Sequence, residues 1–375
     1  MSLSLRAILL SGIVAVCVLW PASAAPQTQA TSSSAELRER LGRVSADLFS
    51  ATPHLTDDIR ELKAILAADA NVAEAHMLLG IAYRGLGSPE MMSEAVAELR
   101  QAISLSPGYV PARLYLAYIH LDLGRPQRAK EELEAALEQS PGNPQLLALE
   151  GESERQLKNP GRAVELTRQS LQVDSSAEAR YYLGLALFDL GKRPEAIKEL
   201  EQVVASGQAA ADAYLSLGIA YIEAGRFDDA IKTLVRGTGR DPSRPDLRIQ
   251  LARGYRSKGV LDKAAEQLQL ARRGPGPGGA LAASEYRQQQ VEFDLTLEGG
   301  ALDAQRGRIA AAIAAFKKVL TMDPAHGPAN RYLAQIYLRQ GSYSAAAQFA
   351  ARAEKAGAPL SPEERKQLQA GLRRK

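Results

Sequence analysis

The feature that most constrains this chain is a pair of helix-length segments that returns at intervals of about 34 residues. Its clearest copy covers residues 110–143, where small and apolar residues fall at three- and four-residue steps in two segments. That spacing predicts two helices that each bury one face. Gly124 ends the first helix, Pro126 suits the first turn of the second, and residues 140–142 end the pair. The chain therefore repeats a unit of two helices joined by a short turn.

The copies share a register. With Val110 as position 1, leucine stands at position 7, glycine or alanine at 8, glycine at 15, alanine at 20 and leucine at 24. Copies that begin at Ala177, Ala211 and Pro245 keep these residues. Small residues at positions 8 and 20 let two helix backbones approach, and larger residues fill the space beside them. Because one helix pair cannot bury both of its faces, neighbouring pairs must stack.

These residues and this period resemble the tetratricopeptide repeat (TPR) family, whose helix-turn-helix units stack into a superhelix. The resemblance implies an all-α fold, a right-handed superhelical solenoid of stacked units with a terminal cap helix. It assigns residues 35–273 to an N-terminal array, residues 285–360 to C-terminal units and residues 361–375 to the cap helix. Ser361 predicts the start of that helix, because serine is a favoured N-cap residue.

The N-terminal segment predicts export. In residues 1–24, Arg6 precedes an apolar run that ends in a small-residue sequence, which is typical of a secretory signal peptide cleaved near Ala24. The run is shorter than the about 20 residues that cross a membrane, so an uncleaved membrane anchor is the weaker alternative. Residues 25–34 are predicted to form a disordered polar tether.

A second break in the pattern follows the N-terminal array. Residues 274–284 contain the sequence GPGPGG, which cannot continue a helix and predicts a flexible linker. The sequence does not decide whether this linker acts as a hinge. Beyond it, residues 282–306 read as one lengthened helix before the repeat register returns.

Composition and motifs argue against several functions. The chain has 46 basic and 43 acidic residues, so it lacks the strong positive field of a nucleic-acid-binding protein. Its one cysteine, Cys17, falls in the predicted signal peptide, which leaves the mature chain without thiol chemistry. Its four histidines lack a second ligand at a metal-binding spacing. We find no catalytic residues, metal site or cofactor motif, and the sequence predicts that the protein is not an enzyme.

The family resemblance implies a binding groove lined by positions 2, 5, 9, 12 and 13 of each first helix. Ten residues at these positions are predicted to bind a partner: Leu114, Tyr118, Tyr181, Leu185, Phe188, Ile219, Arg253, Arg256, Arg331 and Gln335. The apolar members are expected to hold apolar side chains of an extended or helical segment, and the arginines its acidic groups. The alternative is that some of these residues only pack between neighbouring first helices.

The sequence therefore predicts a non-enzymatic protein–protein interaction scaffold of the cell envelope, periplasmic or secreted, that binds a protein or peptide segment in its concave groove. The alternative is a structural assembly factor of an envelope machine for secretion, pilus assembly or polysaccharide export, which uses its ends or its convex face. Neither the partner nor the oligomeric state follows from the sequence.

Overall fold

The computed structural model describes residues 32–50, 52–207, 209–273 and 285–373. The predicted signal peptide (1–24), the predicted linker (274–284) and most of the predicted tether lie outside these residues. The described residues form 19 α-helices and contain no strand. The helices are α1 (Ser32–Leu48), α2 (Leu55–Ala68), α3 (Ala73–Leu86), α4 (Pro89–Leu105), α5 (Val110–Asp122), α6 (Pro126–Gln139), α7 (Pro144–Gln156), α8 (Pro160–Val173), α9 (Ala177–Asp189), α10 (Arg193–Ala205), α11 (Ala211–Glu223), α12 (Phe227–Arg240), α13 (Pro245–Ser257), α14 (Leu261–Arg272), α15 (Glu285–Gln305), α16 (Ile309–Met322), α17 (Gly327–Arg339), α18 (Tyr343–Lys355) and α19 (Pro362–Arg373).

Odd-numbered helices up to α17 are the first helices of stacked pairs, even-numbered helices are the second helices, and α19 follows the last pair. The predicted all-α solenoid of stacked helix pairs is confirmed. Helix α1 begins at Ser32, so the last residues of the predicted tether are helical. The lengthened helix is present as α15, which has 21 residues in the described part of the chain.

The described chain divides into two compact units. Unit 1 extends to Ala220, and unit 2 begins at Tyr221. This division falls within α11, whereas the sequence placed a break at residues 274–284. In a repeat array each pair contacts chiefly its neighbours, so no change of composition need accompany such a division.

The close approach of paired helices depends on glycine at position 8. A Cβ atom added to Gly80 would lie 2.8 Å from Cγ of Leu99 and 3.1 Å from the backbone oxygen of Ala95. A Cβ atom on Gly184 would lie 2.8 Å from Cγ of Leu200. These distances are shorter than carbon van der Waals contacts, and they explain why the register requires small residues where the two helices cross.

In most units, glycine at position 15 ends the first helix in a left-handed conformation, as at Gly124, where φ is 66°. The copy that begins at Pro144 departs from this rule, because Lys158 stands at position 15 with φ of 68°. A side chain with a Cβ atom is strained in that conformation. Lys158 therefore makes this copy a poorer match to the repeat register than the copies with glycine at position 15.

The cap helix begins with a reciprocal pair of hydrogen bonds. The backbone N–H of Glu364 donates to Oγ of Ser361 at 3.3 Å, and the backbone N–H of Ser361 donates to Oε2 of Glu364 at 2.8 Å. This is a capping box, which satisfies two N–H groups that would otherwise lack partners. The prediction that Ser361 caps this helix is confirmed.

The N-terminal pair contains a buried acid. Asp58 on α2 is 6% exposed. Burial raises the pKa of Asp58 to about 7, and the nearby carboxylate of Asp47 adds to the rise. In the unfolded chain this carboxyl has its ordinary pKa of 3.8. The folded chain therefore holds an extra proton between these values, and the stability that Asp58 contributes at low pH is lost as pH rises through about 7.

Replacing Asp58 by asparagine changes the free energy of unfolding by an amount that depends on pH. We expect this change to be more stabilising at pH 8 than at pH 4, by roughly 1–3 kcal/mol, because an amide carries no charge to bury. Urea unfolding at both pH values measures this. Asp57→Asn is the matched control, because the neighbouring Asp57 is exposed and pairs with Arg60. Equal pH dependence in the two variants would contradict the assignment.

Candidate interaction surface on the first helices

We define the unit 1 inner face as positions 2, 5, 9, 12 and 13 of α3, α5, α7, α9 and the unit 1 part of α11. Hydrogen bonds link these positions between helices. Nε of Arg84 on α3 donates to Oδ2 of Asp122 on α5 at 2.9 Å. The hydroxyl of Tyr118 on α5 donates to Oε1 of Glu178 on α9, also at 2.9 Å. Positions 2, 9, 12 and 13 therefore converge on one face of unit 1.

Arg84 is neutralised within the face. Its side chain is 9% exposed, and that of its partner Asp122 is 5% exposed. The guanidinium also lies over the ring of Tyr118, 5.3 Å from the ring centroid. A cation held against an aromatic face and a carboxylate has little charge left to offer a ligand.

Arg155 on α7 is neutralised by two carboxylates. Its Nε and Nη2 donate to the two oxygens of Glu152 at 2.7 and 2.8 Å. Its Nη1 donates to Oδ2 of Asp189 on α9 at 2.8 Å. The bidentate geometry fixes the guanidinium plane. Arg155 thus closes the contact between two neighbouring first helices.

Glu178 lies where two tyrosines converge. The hydroxyls of Tyr118 and Tyr182 both donate to its Oε1, at 2.9 and 3.0 Å. Burial raises the pKa of Glu178, although the two hydroxyl donors oppose the rise. Burial also raises the pKa of both tyrosines well above its ordinary value, and the Glu178 carboxylate adds to this. The phenols therefore remain protonated donors at neutral pH.

Three of the predicted groove residues are buried in unit 1. Leu114, Tyr118 and Tyr181 are 6%, 3% and 5% exposed. The hydroxyl of Tyr181 lies 3.3 Å from Oγ of Ser216 on α11. The hydroxyls of Tyr118 and Tyr181 contact other first helices, as the packing alternative describes. A role for the three residues in binding a partner stays a prediction.

The other predicted apolar residues keep part of their surface. Leu185 and Ile219 occupy position 9 of α9 and α11 and are half-buried. Phe188 is also half-buried, but it packs against a core cluster that includes Val164 of a second helix. The guanidinium of Arg193 lies 5.9 Å from its ring centroid. We therefore define the apolar strip of unit 1 as Leu185 and Ile219.

In unit 2, Arg256 has an intramolecular partner that the sequence did not reveal. Its Nε and Nη2 donate to the two carboxylate oxygens of Glu298 on α15. The two side chains are 10% and 11% exposed. The expectation that Arg256 presents a cation to an acidic partner is not supported by this geometry, because Glu298 already neutralises it.

Arg253, Arg331 and Gln335 are half-buried on α13 and α17. The side-chain amide of Gln335 donates to Glu364 at 2.9 Å and so contacts the start of the cap helix. Among the described residues of unit 2, neither Arg253 nor Arg331 forms an ion pair. Each still lies near a carboxylate, because the charge of Arg253 opposes the rise in the pKa of Glu298 and the charge of Arg331 lowers the pKa of Glu364.

Sequence comparison identifies the family. Two family models, both described as Tetratricopeptide repeat, match the chain, one over residues 89–152 and 304–372 and the other over residues 148–213, 183–245 and 215–280. Together they cover more than half of the chain. The chain belongs to the tetratricopeptide repeat family. No curated protein matches the sequence at a significant level.

Solved TPR structures share the fold. The crystal structure of the APC/C hetero-tetramer Cut9-Hcn1 aligns with a TM-score of 0.64 and 14% identity, over 91% of this chain and 64% of that chain. A TPR protein from Parabacteroides merdae ATCC 43184 aligns with a TM-score of 0.52 and 16% identity, over 70% of this chain and 98% of that chain. At these identities the likeness establishes the fold alone.

Two residues of the unit 1 inner face, Glu178 and Arg84, were missing from the ten residues predicted to bind a partner. A signal for the first existed in the register. Glu178 stands at position 2, where Glu74, Asp212 and Asp246 stand in other units. Comparing position 2 among the repeats would have revealed an acidic residue near the start of several first helices. The pairing of Arg84 with Asp122 also had a signal, because Arg155 and Asp189 stand at the same two positions, 12 and 13, of α7 and α9 and form the same kind of pair.

One of the four histidines is buried. His120 on α5 is 1% exposed. Burial lowers its pKa to about 4, and nearby arginines contribute. Within the described ranges, no group of three or more histidine, cysteine, aspartate or glutamate side chains is arranged to hold a metal ion. In the same residues, no helix has both the length and the apolar character needed to cross a membrane.

Proposed function

We propose that this TPR protein is a non-enzymatic interaction scaffold that binds a segment of another protein on the unit 1 inner face. The observation that carries the proposal is the apolar strip of Leu185 and Ile219. These side chains occupy the same position of neighbouring first helices and keep part of their surface. Tyr118 and Tyr181 on the same face are buried, so the strip lies beside a packed surface.

The charges around the strip support docking of an apolar segment. Arg84 and Arg155 are both held by carboxylates of the same face. A bound segment therefore does not have to remove water from an unpaired cation there. Such desolvation costs free energy unless the cation gains a partner. On unit 2, taken by itself, Arg253 and Arg331 would receive acidic side chains of a bound segment.

We assign the scaffold to the cell envelope, as a periplasmic or secreted protein. This part of the proposal rests on the sequence pattern of residues 1–24, which lie outside the described residues. Partners captured by photocrosslinking are therefore sought in the envelope fraction and in the medium, and the soluble cell interior serves as the comparison. Partners found only in the cell interior would contradict the export part of the proposal.

Photocrosslinking tests the binding surface. A photoreactive benzoylphenylalanine is placed at Leu185 or at Ile219 in the full chain, in its natural host. The matched control places it at Val173, which ends a second helix and is 64% exposed. We expect the same partner to be captured from the two strip positions and little from the control. Leu185→Ser together with the probe at Ile219 should reduce that yield severalfold.

A second candidate function, assembly through the outer surface, is favoured by exposed apolar residues on second helices. Val173 on α8 is 64% exposed, and Val235 on α12 is 47% exposed. If the structural assembly alternative is correct, the same experiment gives strong crosslinks at Val173 and weak ones at the strip. Such a result would overturn the inner-face proposal.

A further inference from the structure

The unit 1 inner face contains a carboxylate whose charge is incompletely compensated. Glu178, at the start of α9, has Oε1 fixed by the hydroxyls of Tyr118 on α5 and Tyr182 on its own helix. Two donors from different helices hold the group in one orientation. Despite that, none of its oxygens forms an ion pair with a described residue.

The charged groups that face Glu178 are already engaged. Arg84 on α3 contributes an attractive charge, but its guanidinium is bound to Asp122. Glu152 on α7 contributes a repulsive charge, and its own partner is Arg155. Burial raises the pKa of Glu178 in spite of Arg84 and the two phenols. The ionised carboxylate would therefore gain free energy from an additional cation.

We propose that Glu178 receives a lysine or arginine side chain of the bound segment, so that the unit 1 inner face selects a segment with a basic residue near an apolar one. The inference rests on the proposed function and names the chemistry of its partner. An acidic side chain would be repelled by Glu178 and Glu152. A neutral side chain would leave the carboxylate uncompensated.

The spacing along α9 adds a constraint on the segment. Glu178 and Leu185 lie two helical turns apart on the same helix, which corresponds to about 10 Å. An extended chain covers that distance in about three residues. The basic residue and the apolar residue of the bound segment should therefore be separated by about three positions when the segment runs along this helix.

A small-molecule titration tests Glu178 directly. The probe is n-butylammonium, which reproduces the end of a lysine side chain, and n-butanol is its neutral counterpart. The purified protein is labelled with ¹³C at glutamate carboxyls, and Glu178→Gln identifies the signal of Glu178. We expect n-butylammonium to lower the pKa of Glu178 by about one unit, a tenfold change in acid dissociation, and to do so saturably. We expect no change with n-butanol.

Two variants separate a specific site from general attraction of cations. Glu74→Gln removes the acid at the same position of α3, and it should leave the response of Glu178 intact. Tyr118→Phe removes one donor and should raise the pKa of Glu178 further while the response to n-butylammonium persists. The inference is overturned if n-butylammonium leaves the pKa unchanged, or if Glu74 responds as strongly as Glu178.

The outcome also distinguishes this inference from the proposed function. If n-butylammonium has no effect but crosslinking from Leu185 still captures a partner, only the basic-residue inference fails. If crosslinking from the strip fails, the proposed function fails whatever the titration gives. If both succeed, Glu178→Gln should reduce the crosslinking yield at Leu185 without lowering the melting temperature.

Discussion

Replacing Gly80 by leucine is expected to destabilise unit 1 by about 1–3 kcal/mol, with a partly unfolded N-terminal region as the extreme outcome. The reason is the crossing of α3 and α4. Even one added carbon would lie 2.8 Å from Leu99 and 3.1 Å from the backbone oxygen of Ala95. The Leu99 side chain can rotate, but the backbone of α4 cannot move without separating the pair. Urea unfolding followed by circular dichroism measures the loss.

Gly161→Leu is the matched control. Gly161 also lies in a helix of unit 1, on α8, but an added Cβ atom there meets no atom within 4 Å. Leucine has the higher helix propensity, so this variant should be neutral or more stable by up to about 1 kcal/mol. Equal losses in the two variants would show that the position-8 crossing is not a tight contact.

Replacing Glu298 by alanine is expected to cost unit 2 about 3–5 kcal/mol. The substitution leaves the guanidinium of Arg256, which is 10% exposed, without its carboxylate. Burial raises the pKa of Glu298 even though Arg256 opposes the rise. Burying the pair is therefore costly. In Glu298→Ala, stability is lost chiefly because the charge of Arg256 stays buried without a partner.

A compensating double variant separates these contributions. Arg256→Met with Glu298→Leu removes both charges and should recover most of the loss, because apolar pairs of similar volume often replace buried ion pairs at little cost. The control is Glu292→Ala, which breaks the exposed pair between Glu292 and Lys318. That pair should contribute less than about 1 kcal/mol. A double variant as unstable as Glu298→Ala would contradict the argument.

Much of the fold was predictable because each repeat contains both the residues that end its first helix and those that let its two helices pack closely. Glycine at position 15 ends a first helix by its conformational freedom, and glycine at position 8 permits the crossing. Both functions act within one helix pair, so a single copy contains the information. The start of α1 was harder to place, because Ser32, Ser33 and Ser34 are each possible N-cap residues and the first large apolar residue is Leu37.

The candidate site was predictable only in part. The register assigned Leu185 and Ile219 to the inner face, but it could not distinguish them from the buried Tyr118 and Tyr181. Burial at these positions depends on the size of residues in neighbouring units. Tyr118, for example, finds its hydrogen-bond acceptor 60 residues later in the chain.

The pairing of Arg256 illustrates a second limit. Its partner Glu298 lies on α15, which is longer than the other first helices and begins beyond the segment that interrupts the repeat register. No equivalent position in the other units carries the same pair. The sequence therefore did not indicate that Arg256, a predicted groove cation like Arg253, has a carboxylate partner.

In the proposed binding mode, a partner polypeptide lies on the first helices of this TPR protein. Amide hydrogen exchange, measured on the protein alone and with the partner captured from the apolar strip, tests it most directly. We expect slower exchange in α9 and α11 and unchanged exchange in the second helices α8 and α10. Protection of α8 and α10 without α9 and α11 would contradict it.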